Sequence, residues 1–317
     1  VGKEATALLS KGFDVSSISF ETPKWSDRFT YSIICNSQSQ FKRAIEKSDA
    51  DIFHVHNTPD WLVTSVREAT NRPIVYDIHD PEVMRLGKPG ELELEAHEAC
   101  NATVYPSDTC RIFTNDYFKQ TKPSITLYPY VNEMYKVNPI AWPSWDSIVY
   151  EGGMSDNEES YRYYLDLFMT FAKLNFNVFA MPSGWATGTK VYTNRITMLG
   201  PYTYESMLRA LRSFGFGIVG SQFKFDLMHA AMPNKLFEYI HCGVVPLVFN
   251  MGEAATYVTE NKIGLDMTAL AGRPDSGVSK RDMIKMGREL RKNVLAIRKT
   301  LYFEDHIMPL INLYRSL

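Results

Sequence analysis

The chain has 317 residues, 45 % of them apolar and 22 % charged, with a net charge of −2. That length and composition suit a soluble globular protein with material for two cores; the near-balanced charge, with no long basic run, argues against a nucleic-acid binder. No apolar run approaches the ~20 residues of a membrane span and no signal-peptide pattern is seen, so a cytoplasmic protein is expected. The four cysteines, Cys35, Cys100, Cys110 and Cys242, form no C-x-x-C pair and no Cys/His cluster with zinc spacing, which predicts reduced, buried thiols.

In chain order, strand and helix patterns alternate. The chain opens Val1-Gly2-Lys3-Glu4-Ala5 in a helical pattern carried by Ala5, Leu8 and Leu9, which ends at Lys11-Gly12. Strands are predicted at Val15–Phe20, Tyr31–Cys35, Asp51–His56, Ile74–Ile78, Ala102–Tyr105 and Ile125–Leu127. Helical spacing covers Gln38–Lys47, Asp60–Ala69, Gly90–Cys100 and Ser107–Gln120. Asn138–Ser144 has two prolines and no periodicity, which marks a linker over 138–146. The second half repeats the alternation, with strands at Ser147–Glu151, Asn177–Ala180, Arg195–Leu199, Phe216–Gly220 and Val244–Phe249. Its helices are predicted at Glu158–Leu174, Thr203–Ser213, Pro233–Cys242 and Glu253–Glu260, and Ser279–Leu317 is helical in pattern with a break near Tyr302. This order predicts an α/β protein with parallel sheets. The domains are expected at 1–137 and 147–300, with 301–317 as a C-terminal helix able to cross back to the first domain.

Ligands of open parallel sheets sit beyond the carboxyl ends of strands, so the residues there are the site candidates. Gly152-Gly153 would let backbone approach a phosphate or a sugar closely; a plain tight turn is the structural alternative. Ser221-Gln222 follow another strand, and His229 precedes the next helix. His79 and Asp80 lie just beyond the strand at 74–78, where Asp80 or Glu82 could act as base toward a hydroxyl. His54 and His56 flank Val55 and point to one face of their strand. His56-Asn57-Thr58 is expected at the strand end, and His54 as a satisfied, half-buried residue. The segment Pro233-Asn234-Lys235-Leu236-Phe237-Glu238-Tyr239, running into Cys242-Gly243-Val244-Val245-Pro246, reads as a helix that opens on proline and stops at glycine. Asn234 and Glu238 share a face, with Lys235 beside them. Such a helix start suits a nucleotide diphosphate, with the free N–H groups and Lys235 on the phosphates and Glu238 accepting from ribose hydroxyls. An ordinary surface helix with a Lys/Glu pair is the other reading.

This segment resembles the nucleotide-sugar site of GT-B-fold glycosyltransferases, in particular the large bacterial family with a P-N-K-L-F-E-Y … G-x-P signature (the glycosyltransferase family 4-like, or group 1, enzymes), and the resemblance runs over nearly the whole chain. It implies two Rossmann-like domains facing a cleft. The stretch Val1-Gly2-Lys3-Glu4-Ala5 resembles the helix start found after the family's first strand and loop, so an N-terminal strand and its loop are expected to be missing from this sequence. The resemblance further implies a UDP-linked nucleotide-sugar donor held by Gly152, Gly153, Gly200, Tyr202, Asn234, Lys235 and Glu238. Tyr202 would stack on the base; a half-buried loop tyrosine is the alternative. Ser221, Gln222 and His229 would face the donor sugar, and His79 and Asp80 would act at the reacting centre. No cofactor or metal is expected, since the resemblance to GT-B enzymes implies metal independence. The acceptor could be a carbohydrate, a lipid-linked or a protein hydroxyl, with membrane contact at most peripheral, at the inner face. The sequence departs from the family after Gly153, where the usual arginine and lysine are replaced by Met154-Ser155-Asp156-Asn157-Glu158. The family's first of two glutamates, eight positions before Glu238, falls on Ala230. These departures keep open a module that binds a nucleotide sugar, or only a partner protein, without transferring; a nucleotide-sugar epimerase, with the same fold, is a further alternative.

Overall fold

The computed structural model describes residues 1–317 apart from 23–25, 58, 156, 184–190, 225 and 271–278. The chain divides into two compact units, Val1–Asn132 with Phe303–Leu317, and Glu133–Tyr302.

The first unit begins with α1 (Gly2–Ser10), β1 (Ser17–Ser19), β2 (Ser32–Ile34), α2 (Gln38–Lys47) and β3 (Phe53–His56). It continues with α3 (Trp61–Ala69), β4 (Ile74–Asp77), α4 (Glu82–Leu86), α5 (Glu91–Ala99), β5 (Ala102–Tyr105), α6 (Asp108–Phe118) and β6 (Ser124–Thr126). Strands β3, β4, β5 and β6 form a parallel sheet in chain order, while β1 and β2 make a separate parallel pair. The inner strands β4 and β5 are buried at every residue, as helices on both faces of a parallel sheet require. Ser37 and Ser107 cap α2 and α6 by accepting from Gln40 N and Cys110 N, satisfying donors that the helix itself cannot. The short helix α4, too brief for a periodic signal, is capped from a distance: the Glu93 carboxylate accepts from Glu82 N at 2.8 Å and Val83 N at 3.0 Å. Burial nevertheless pushes Glu93 up to about 7, against those two bonds.

The second unit contains β7 (Ser144–Gly152), α7 (Leu165–Lys173), β8 (Asn177–Pro182), β9 (Val191–Thr193), β10 (Ile196–Met198) and α8 (Tyr204–Leu211). After these come β11 (Phe214–Gly220), α9 (Asp226–Ala230), α10 (Asn234–Cys242), β12 (Val245–Phe249), α11 (Gly252–Glu260), β13 (Leu265–Asp266) and α12 (Lys280–Ile297). The final helix, α13 (Met308–Arg315), belongs to the first unit. The sheet order is β13-β12-β11-β7-β8-β10-β9, parallel except for β9 against β10. The chain therefore leaves β7 in one direction and returns to fill the other, and the switch in strand order lies between β7 and β11.

Of the elements that differ from expectation, two bear on the site. Strand β7 opens at Ser144, inside the predicted linker. Helix α7 begins only at Leu165, because residues 157–164 turn instead: Ser160 N donates to Asn157 O, Tyr163 N to Ser160 O, and Glu159 N to Asn157 Oδ1. Asn and Ser offer the backbone these local alternatives to a helix.

The core of this unit is β11 and β12, buried along their whole length. Gly217 leaves room for the ring of Tyr239 on α10; a Cβ there would come within 2.6 Å of it. The Tyr239 hydroxyl accepts from Glu151 N at 3.0 Å, beyond the last β7–β11 pair at Val149 and Gly217. Helix α12 buries Met283, Gly287, Arg291 and Val294, one face at helical spacing. Its two buried cations serve carbonyls. Arg291 donates to Gly243 O and Ile140 O, and Arg298, just after the helix, to His241 O and Val137 O. All four cysteines are free and buried. Among the described residues no helix is long and apolar enough to cross a membrane.

Candidate functional site

The crevice beyond β7 and β11 is where an open sheet of this order binds ligands. At the end of β7, Gly152 has φ 119, a conformation other residues adopt only with strain. A Cβ on it would lie 3.0 Å from Lys235 Nζ. Helix α10 carries Lys235 in its first turn, and the ammonium sits 4.0 Å from the centroid of the Tyr150 ring, a cation–π contact. The Tyr150 hydroxyl donates to Gly153 O at 2.6 Å, so one tyrosine positions both the lysine and the second glycine. Burial raises the Tyr150 and Tyr164 hydroxyls above the ordinary tyrosine value, and both stay protonated.

A residue that sequence reasoning passed over enters here. A Cβ on Gly153 would come 3.1 Å from Arg162 Nη1, and Ser155 N donates to Arg162 O at 2.9 Å. Arg162, within the 157–164 turns, thus brings a guanidinium beside Gly153. Asp156 lies outside the described residues. The pattern misled because a helix over Glu158–Leu174 would have carried Arg162 elsewhere.

Along α10, Asn234 is exposed, Lys235 is half-buried and Glu238 is buried. The Tyr204 hydroxyl is pushed far up by burial and by the Glu238 carboxylate beside it. The helix starts after Pro233 and ends on Gly243, left-handed at φ 78, with Val244 N donating back to Tyr239 O. Beyond β10, Gly200 has φ 133 and Tyr202 is 41 % exposed.

Ser221, at the end of β11, is fully buried, and its hydroxyl donates to Tyr161 O at 2.7 Å. Its carbonyl accepts from Asn250 Nδ2 at 2.8 Å. Its side chain thereby holds the Tyr161–Arg162 turn. Gln222 is half-buried and His229 exposed. The His229 ring rests so closely on Gly252 that a Cβ there would lie 2.0 Å from it. His229 lines a cavity of about 590 Å³ with Lys224, Asn250, Gly252, Thr256 and Thr268. Asn250 Oδ1 is buried there without a hydrogen-bond partner. Ala230, the last residue of α9, is fully buried.

In the first unit His79 and Asp80 are both exposed beyond β4, and His79 N donates to Asn57 Oδ1 at 2.8 Å. The neighbouring Thr58 lies outside the described residues. The group around Asp77 is denser than the sequence suggests. His54 Nε2 lies 3.1 Å and His56 Nδ1 3.0 Å from Asp77 Oδ2, and His79 Nε2 lies 3.7 Å from Oδ1. Burial pushes the Asp77 carboxyl up, but His79 and His56 outweigh it and hold it well below the usual range. Burial likewise holds His56 below the ordinary histidine value despite Glu4 and Asp77. His54 is half-buried and satisfied at both nitrogens, by Asp77 and by the Tyr314 hydroxyl, as expected.

No family model and no curated protein matches the sequence. Solved structures do match. Sucrose-phosphate synthase from Thermosynechococcus elongatus superposes with a TM-score of 0.72 at 14 % identity, covering 99 % of this chain and 91 % of that one. An alpha-glucosyltransferase in complex with UDP and a 13-mer DNA containing a HMU base gives 0.69 at 11 %, over 99 % and 94 %. Anabaena HepE in complex with UDP and glucose gives 0.64 at 11 %, over 98 % and 96 %. At such identities a match speaks for the backbone plan alone, and by that measure the chain has the GT-B fold.

Proposed function

We propose that the protein is a glycosyltransferase that moves a sugar from a nucleotide-sugar donor, UDP-linked, to an acceptor hydroxyl. The observation that carries this reading is the set at the switch point: Lys235 held over Tyr150 beside Gly152, Arg162 beside Gly153, and buried Glu238 one turn along α10. Two cations and a helix N-terminus suit a diphosphate, and a buried carboxylate suits a ribose diol. Gly200 and Tyr202 would take the base, Asn234 the phosphate side, and Ser221, Gln222 and His229 the sugar side. UDP in the matched alpha-glucosyltransferase and HepE structures supports the choice of nucleotide.

In the reaction the acceptor oxygen bonds to the anomeric carbon as the bond from that carbon to the diphosphate oxygen breaks. UDP departs, and in an inverting transfer the hydroxyl proton passes to a carboxylate base, Asp80 or Glu82, with His79 positioning the sugar or the leaving diphosphate. Lys235 and Arg162 stabilise the charge that develops on the leaving diphosphate, and no metal ion is assigned there.

The test is calorimetric titration of UDP, with GDP and ADP as controls, into wild type and Glu238→Ala, followed by turnover of UDP-sugars with candidate acceptors. Selective UDP binding that the variant loses, together with release of UDP in turnover, is expected. Full UDP affinity in Glu238→Ala would sink the donor site. The buried Ala230, where the resembling family carries a glutamate, favours one other reading: a module that binds nucleotide sugar without transferring it. Binding with no turnover on any donor and acceptor pair would select that reading.

A further inference from the structure

Beside His79, which the transfer reading places at the reacting centre, the first unit carries a buried cluster that this reading does not use. Strand β3 sends His54 and His56 to one face, and β4 sets Asp77 opposite His56 in register. The Asp77 side chain is 3 % exposed, so its charge must be answered within the protein. Asp77 Oδ2 has His54 Nε2 at 3.1 Å and His56 Nδ1 at 3.0 Å. On the open side, His79 Nε2 lies 3.2 Å from the same His56 nitrogen. The outer nitrogens are held as well: Tyr314 of α13 lies 2.5 Å from His54 Nδ1, and Glu4 of α1 lies 3.3 Å from His56 Nε2. Glu4 Oε2 is buried and also lies 2.9 Å from the Val1 ammonium. Glu4, His54, His56 and Asp77 each offer a ligand atom, all within 4.8 Å of one another.

Protons serve this arrangement poorly. His56 Nδ1 has one hydrogen to place between the Asp77 oxygen and the His79 nitrogen. A single divalent cation answers the converging atoms once the His54 and His56 rings, now stacked at a centroid separation of 4.6 Å, turn their nitrogen edges toward it. With nitrogen and oxygen ligands at about 2.0–2.1 Å, tetrahedral zinc spaces neighbouring ligand atoms ~3.3 Å apart, close to the separations here. The outer contacts match those that orient metal-bound imidazoles, which donate their second N–H to an oxygen. A linear search misses the site, because its residues come from two strands and from both ends of the chain.

We propose that His54, His56 and Asp77 bind a divalent transition-metal ion, zinc by ligand type, with Glu4 and Tyr314 orienting the two rings and His79 bordering the open fourth position. The site rests on the first unit alone and is independent of the donor reading.

The experiment uses the untagged full chain, stripped with EDTA and then freed of chelator. Zinc is titrated against a chromophoric competitor, and cobalt(II) is followed by visible absorption. Wild type is expected to take one zinc per chain with submicromolar affinity and to give the d–d bands of a low-coordinate cobalt site. His54→Gln combined with Asp77→Asn should weaken zinc at least ~100-fold, and Glu4→Gln about 10–100-fold, as loss of an outer partner does. Glu238→Ala should leave zinc affinity unchanged whatever it does to UDP, which separates this site from the donor site. Circular dichroism and thermal unfolding check that the variants fold; if the double variant does not, the wild-type stoichiometry and cobalt spectrum decide. Absence of stoichiometric binding in wild type, or unchanged affinity in a folded double variant, overturns the proposal.

Discussion

Tyr239 ties the helix that carries Lys235 and Glu238 to the strand that ends in Gly152. The β7–β11 ladder ends at Val149, and two residues on the buried Glu151 N–H has the Tyr239 hydroxyl as acceptor at 3.0 Å. Tyr239→Phe keeps the ring in the slot over Gly217 and removes only that oxygen. Leaving a buried N–H without a partner costs about 1–3 kcal/mol. For a unit of this size about 2–4 °C accompany each kcal/mol, so the melting temperature should fall by ~2–12 °C. Gly217→Ala should act on the same contact from the other side, since its Cβ would come within 2.6 Å of the ring. Overpacking of this kind costs about 1–3 kcal/mol, and a displaced ring also gives up the Glu151 bond. A bond can be lost only once, so the double variant should cost less than the sum of the singles. The assay is differential scanning calorimetry of the four proteins, with UDP titration alongside. A melting temperature for Tyr239→Phe within ~1 °C of wild type, well under the shift expected here, or strict additivity in the cycle, would refute the reasoning.

Other expectations rest on contacts of the same kind. Lys235→Ala and Arg162→Ala should each weaken UDP by about 10–150-fold, the range of a lost charge-assisted bond, with little change in unfolding temperature; unchanged affinity in both by calorimetry would remove the diphosphate assignment. Arg298→Met strips donors from His241 O and Val137 O, at 2.7 and 2.5 Å, and should destabilise the second unit by ~2 kcal/mol or more, read by urea unfolding. In the first unit, burial holds His97 down to about 3 from an ordinary 6.5. The unfolded chain takes up that proton first, so stability falls as pH drops from 6.5 toward 3. Glu93, pushed up to about 7 from an ordinary 4.5, keeps a proton that the unfolded chain has released, so its contribution falls as pH rises from 4.5 to 7. The two slopes oppose each other between 4.5 and 6.5. His56, also held low by burial, acts in the same sense as His97, so His97→Phe should lose less stability than wild type as pH falls from 6.5 to 4.5; superimposable profiles by thermal unfolding would count against the His97 assignment.

Much of the fold was legible because buried parallel strands read as short apolar runs. The expected Val244–Phe249 and the observed β12 differ by one residue, and Gln38–Lys47 matches α2 at both ends. The features that stayed hidden were short or non-local. Helices α4 and α9 are a single turn or little more, below the length at which periodicity speaks. The late start of α7 depended on Asn157 and Ser160 capturing local backbone groups, and with it went Arg162. At the histidines, alternation along β3 put His54 and His56 on one face from sequence alone. The parts played by Asp77, Glu4 and Tyr314 could not be read, because strand register and the return of α13 set them.

That return also bears on how the protein is made. Helix α13 buries Leu310, Ile311 and Leu313 and brings Tyr314 to His54, yet it is separated from the rest of its unit by the whole of Glu133–Tyr302. A ribosome releases the N-terminal unit first, and that unit must wait for every residue of the second before its last buried surface is covered. Until then it exposes an apolar seat that fits the equivalent helix of another copy equally well. Exchange of the terminal helix between copies is the hazard that this order of synthesis predicts.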